Sequence, residues 1–80
     1  MATQEATPLV LLLKEAQSWQ EAGKTHQAIA VYFKLVECFP ETEEAHSAQE
    51  QLLGLVQRFE AEEKLYAASR IYNRLHHCLS

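Results

Sequence analysis

A chain of 80 residues makes one small domain at most, and with 48% hydrophobic and 22% charged residues it belongs with folded rather than disordered chains. A formal net charge of −4 and a pI near 5.5 speak against a nucleic-acid binder or a ligand of anionic membranes. All eleven acids are glutamate, and the chain holds only two glycines and two prolines, a composition that favours helix throughout.

Four helices are predicted, in chain order. The first follows Thr7-Pro8, a capping residue and a proline at the first helical position, and carries Leu9, Leu12, Leu13, Ala16 and Trp19 on one face. Gly23 stops it. Thr25 is expected to cap the second helix, whose apolar face is Ala28, Val31, Tyr32, Leu35 and Phe39. Pro40 ends that run, because it cannot continue a helix and pushes Phe39 away from helical angles. Thr42 caps the third helix, with Glu43 and Glu44 in the first turn where the helix dipole favours negative charge. Its face is Ala45, Ala48, Leu52, Leu55 or Val56, and Phe59. Gly54 in its middle costs about 1 kcal/mol against alanine and marks either a close approach of another backbone or a neutral change. A turn is placed within Glu60 to Lys64, and the fourth helix presents Leu65, Ala68, Ile71, Tyr72, Leu75 and Leu79. No stretch alternates at period two, so no strand is expected.

The stretch from Ala28 to Pro40 returns forty residues later. Ala28 aligns with Ala68, Val31 with Ile71, Tyr32 with Tyr72, Leu35 with Leu75 and Cys38 with Cys78. The same offset sets Trp19 against Phe59, Lys24 against Lys64, and Leu12-Leu13 against Leu52-Leu53. An echo of this length is the mark of repeat architecture.

These residues resemble a tetratricopeptide repeat, which pairs two antiparallel helices in about 34 residues and closes on proline. With Pro40 as the closing proline, Leu12, Ala16 and Trp19 take the large, small and later aromatic positions of the first helix. Gly23 falls at the turn glycine, and Ala28 and Tyr32 at the small and aromatic positions of the second helix. In the second copy Glu63 stands at the turn glycine and Ser80 at the closing position; the longer spacing implies extra turns on the third helix. The string FPETEEAHSAQEQL resembles the linker of bacterial tetratricopeptide proteins. The resemblance implies an all-α fold of two stacked helical hairpins in a right-handed α–α superhelix. Residues 1–7 would form a tail, 8–40 the first pair and 41–80 the second. A plain four-helix bundle is the other architecture these residues fit.

In the resembled family the first helix of each pair lines an inner groove. Carried over by position, the groove here would hold Val10, Leu13, Gln17, Gln20 and Glu21, with Glu50, Leu53, Gln57, Glu60 and Ala61 from the second copy. The Lys and Asn residues that clamp a peptide carboxylate in some members are replaced by Leu13, Gln17, Leu53, Gln57 and Gly54. The groove is therefore suited to an extended or helical peptide held by apolar and amide contacts.

No nucleotide-binding, hydrolase or zinc-protease motif is present, and the chain is not expected to be an enzyme or to carry a metal or other cofactor. His76, His77 and Cys78 are consecutive and point about 100° apart on a helix, so they do not converge on an ion. Cys38 and Cys78 are expected to act as small hydrophobes. His26 and His46 are expected at the surface, and Glu41, Glu43 and Glu44 as a solvated helix start. Tyr32 and Tyr72 should be packed, with their hydroxyls near the surface or a partner.

Val10, Leu11, Ile29, Phe33, Val36, Leu53 and Tyr66 fall off the main apolar faces and are the material for an interface. Two repeat units rarely bury a core alone, which predicts that the last helix is covered by a second copy, a partner or further chain. The expected function is a protein–protein interaction module that docks a protein or peptide partner in the groove. The alternative is a scaffold element that self-associates through Val36, Tyr66 and Leu79, as in a homodimer. The five-residue apolar run Leu9 to Leu13 is shorter than the roughly 7–15 residues of a signal core, so a cytoplasmic location is expected, with no membrane and no nucleic acid among the partners.

Overall fold

The computed structural model of the protein describes residues 8–79, with side chains through His77. The tail assigned to residues 1–7, the Thr7 cap, Ser80 and the side chains of Cys78 and Leu79 lie outside the described residues. The chain is all-α: α1 is Pro8–Glu21, α2 Thr25–Cys38, α3 Glu43–Ala61 and α4 Leu65–Leu79. Each helix packs mainly on its neighbours in the chain; α1 also touches α3 and α2 touches α4, while α1 and α4 do not meet among the described residues. The result is a compact four-helix bundle with sequential, helical-repeat-like packing. Helix α3 has 19 residues against 14 in α1, which accommodates the longer spacing of the echo.

The two hairpin turns are built alike. After α1, Gly23 N–H donates to Gln20 O and Lys24 N–H donates to Trp19 O, at 3.1 and 2.8 Å. After α3, Glu63 N–H donates to Glu60 O and Lys64 N–H donates to Phe59 O, at 3.0 and 2.7 Å. This double bond pattern is a Schellman cap, which needs a left-handed residue just past the helix end. Gly23 takes it at φ +81° and Glu63 at φ +62°. Glycine occupies that region without penalty, whereas a residue with a Cβ is strained by about 1 kcal/mol. Nothing lies within 4 Å of a Cβ built on Gly23, so its role is conformational only. Gly23→Ala should therefore destabilise the fold by about 1 kcal/mol, and Glu63→Gly should stabilise it by a similar amount. In thermal melts the two changes should move the midpoint in opposite directions by about 4–8 °C. Shifts of the same sign would mean that the turns do not share one strain.

Thr25, expected as a cap, is instead the first residue of α2. Lys24 occupies the capping position with no side-chain hydrogen bond, and its carbonyl receives Ala28 N–H at 3.1 Å. The Schellman bond from Lys24 delivers the chain into helix one residue early. Lys64 and Ala68 repeat that bond in the second hairpin. Thr42 does cap α3: its Oγ1 accepts from Ala45 N–H at 3.1 Å and its hydroxyl donates to Phe39 O at 2.8 Å. Phe39, just before Pro40, leaves helical geometry at φ −135°. Gly54 has nothing within 4 Å of a built Cβ, so of its two readings the close approach falls and the neutral change stands.

The core holds Ala16, Ala28, Tyr32, Leu35, Ala48, Leu52, Leu55, Ala68, Ile71 and Leu75, all from the predicted faces. Phe33 and Val36, expected as surplus surface residues, are also buried. The reason is geometric. The inner helices α2 and α3 are covered from two sides and bury five residues each, whereas α1 is covered from one side and buries only Ala16. Leu65, Tyr72 and Phe39, expected in the core, are exposed.

Candidate functional site

The expected groove divides. Gln17, Gln20 and Glu21 of α1 face Gln51 of α3 across an open cleft of about 450 Å3. Val10 and Leu13 are half-buried on the same helix. Leu53, Gln57 and Glu60 do not line this cleft; they form an exposed stripe further round α3, with Leu53 37% accessible. Gln20 is already engaged, since its Oε1 accepts from the Tyr32 hydroxyl at 2.8 Å. Burial raises the Tyr32 phenol above its ordinary pKa, which keeps the hydroxyl protonated and donating. The α1–α3 face is thus polar, amide-rich and partly committed to the core.

A second, less open cleft of about 260 Å3 lies between α2 and α4. Helix α2 contributes His26, Ile29 and Phe33, and α3 contributes Phe59. Helix α4 supplies Ala67, Ile71, Tyr66, Arg70 and Arg74. The spacing of Ala67, Arg70, Ile71 and Arg74 puts them on one side of α4, and Ile29 and Phe33 are a helical turn apart on α2. The walls are mostly apolar; Ile29, Phe33 and Tyr66 are among the residues that fall off the main apolar faces, but nothing in the sequence brings them together with Ala67 and Ile71, because α2 and α4 are two helices apart in the chain.

Each aromatic ring of this cleft has a cation above it. The Arg74 guanidinium lies 4.2 Å from the Phe33 ring centre, Arg70 lies 5.8 Å from Tyr66, and Lys64 lies 5.9 Å from Phe59. Such contacts contribute about 0.5–1 kcal/mol each where exposed. Arg74 also forks onto Glu37 of α2, at 2.7 Å from Nε and 3.1 Å from the second guanidinium nitrogen. Both partners are well exposed, so this pair contributes no more than about 1 kcal/mol; its bidentate geometry orients α4 on α2.

Charge is unevenly divided between the two layers. Helices α1 and α3 carry six glutamates against Lys14 and Arg58; α2 and α4 carry Lys34, Arg70 and Arg74 against Glu37 alone. The cleft therefore sits on the cationic side of an acidic protein.

The residues expected for self-association separate as well. Val36 is 3% exposed, a core residue that only floors an open hollow between Glu37, Pro40 and His77; burial between neighbouring helices removes it from the surface. Tyr66 is 78% exposed at the cleft edge. Leu79 is one of the residues whose side chain is not described. The forty-residue offset makes a sharper comparison: Tyr32 is fully buried where α3 follows α2, and Tyr72 at the equivalent place on α4 is 56% exposed. Cys38, expected as a packed hydrophobe, is exposed because it lies in the last turn of α2 beyond the core. Among the described residues no group of three metal-ligating side chains occurs, and no helix is long and apolar enough to cross a membrane.

Comparison with known proteins finds no matching family model, no similar curated protein and no similar solved structure.

Proposed function

We propose that this chain is a protein–protein interaction module, made of two tetratricopeptide-like helical hairpins, that docks a protein or peptide partner. The observation that carries this reading is the apolar α2–α4 cleft, open at the surface and edged by the exposed ring of Tyr66. At about 260 Å3 it falls below the roughly 300–1,000 Å3 of small-molecule sites. It suits one or two anchoring side chains, as in a hot spot of an interface. The α1–α3 groove offers amides and glutamates but little apolar wall, so the cleft is the better docking face.

The test places a photoreactive benzoylphenylalanine at position 66 or 17 and irradiates cells that make the protein. A discrete heterologous adduct is expected from position 66 and not from position 17. An adduct from position 17 alone would move docking to the α1–α3 groove, and no heterologous adduct from either would reject the binding module.

Self-association is the second reading, and the open Tyr72 favours it. In that case Tyr72→Glu should shift sedimentation from dimer to monomer, and position 66 or 72 should cross-link to a second copy.

A further inference from the structure

We infer that the α2–α4 cleft receives an acidic segment of a partner, with one large apolar side chain seated between Ile29, Phe33, Ala67 and Ile71 and an adjacent carboxylate on Arg70. The inference rests on the interaction-module reading above and adds the chemistry of the partner.

Apolar walls alone would accept any hydrophobic anchor. The rim makes the selection. Arg70 lies over Tyr66 and engages no carboxylate among the described residues, whereas Arg74 is held by Glu37. At 5.8 Å from the ring centre the Arg70 guanidinium keeps its fork available to receive a carboxylate in two parallel bonds. Lys34 adds charge of the same sign on α2, and α4 carries no acid at all. A basic partner segment would meet like charge at this rim and be excluded, which is how a small cleft gains specificity beyond its apolar area. His26 borders the opposite end of the cleft from Arg74 and provides a polar limit to the anchor site.

The probes are three labelled peptides of equal length: a tryptophan flanked by glutamates, the same tryptophan flanked by lysines, and the glutamate peptide with serine for tryptophan. Binding is read by fluorescence polarisation and by amide shifts of the isotope-labelled protein. The glutamate–tryptophan peptide should bind at least ~10-fold more tightly than its lysine twin. It should shift the amides of Ile29, Ala67 and Arg70, weaken as salt rises, and fail when serine replaces tryptophan. Arg70→Glu should cut its affinity ~10-fold or more while lowering the melting temperature by no more than about 8 °C, the loss of the contact with Tyr66.

Equal binding of the lysine peptide in the same cleft would overturn the acidic partner and leave the docking module standing. Shifts confined to Gln17 and Gln51, or no binding by any peptide, would overturn both. A dimer that Arg70→Glu disperses in sedimentation would assign the cleft to a second copy, whose exposed Glu50–Leu53–Glu60 stripe has the required chemistry, and would overturn the separate partner.

Discussion

Leu52→Ala should lower the melting temperature by about 8–40 °C. Leu52 is fully buried in the middle of α3, the helix that meets α2 on one side and α4 on the other. Deleting its branched end removes apolar contact inside the core and leaves a cavity there. Changes of this kind cost about 2–5 kcal/mol, and a domain of this size shifts by about 4–8 °C per kcal/mol. The comparison that isolates the cause is Leu12→Ala. Leu12 holds the equivalent place forty residues earlier, on α1, but is only half-buried, since among the described residues α1 packs mainly on α2. Its loss should cost about half as much. Calorimetry on both variants gives the ratio; equal losses would mean that α1 is covered as fully as α3.

Phe33→Ala should be as damaging, at about 3–5 kcal/mol. Phe33 is packed between α2 and α4 and roofed by Arg74. The ring is also the floor of the cleft, so its loss should weaken any ligand seated there. Arg74→Ala separates the two contributions. The roof and its pair with Glu37 are exposed, and removing both should cost no more than about 2 kcal/mol. A chemical denaturation series should therefore rank Phe33→Ala above Arg74→Ala. The reverse order would show that the ion pair, and not ring burial, holds α4 on α2.

The elements that were legible beforehand share a property: each is signalled within a few residues. Gly23 supplies the left-handed angle, Pro40 forbids continuation, and Thr42 satisfies the free amide of Ala45. The small residues Ala16, Ala28, Ala48 and Ala68 mark where helices approach, and all four are buried. The turn at Glu63 was located but its conformation was not, because glutamate gives no sign of a left-handed angle. Its place opposite Gly23 in the echo is the one hint, and the φ of +62° with the bonds to Phe59 and Glu60 carbonyls shows that it takes the same conformation.

The misplaced residues share a different property. Phe33 and Val36 were set aside as surface because a single stripe per helix assumes that each helix is covered from one side. Tyr72 was placed in the core because its sequence neighbours match those of Tyr32. Both errors concern how many neighbours a helix has, and no local pattern carries that number. Ile29, Phe33 and Tyr66 are legible as surplus apolar residues, but their shared cleft is not: Ile29 and Ala67 are 38 positions apart in the chain, and nothing near either one announces the other.

Helix content, helix ends and the inward stripe of each helix follow from short-range chemistry: backbone angles, capping bonds and the spacing of apolar side chains. Whether a second stripe is covered, that Arg74 lies over the Phe33 ring, and which apolar walls stay open depend on the order in which helices stack. That order is a long-range outcome, reached when the burial of shared surface by α2 and α3 outweighs the exposure left on α1 and α4.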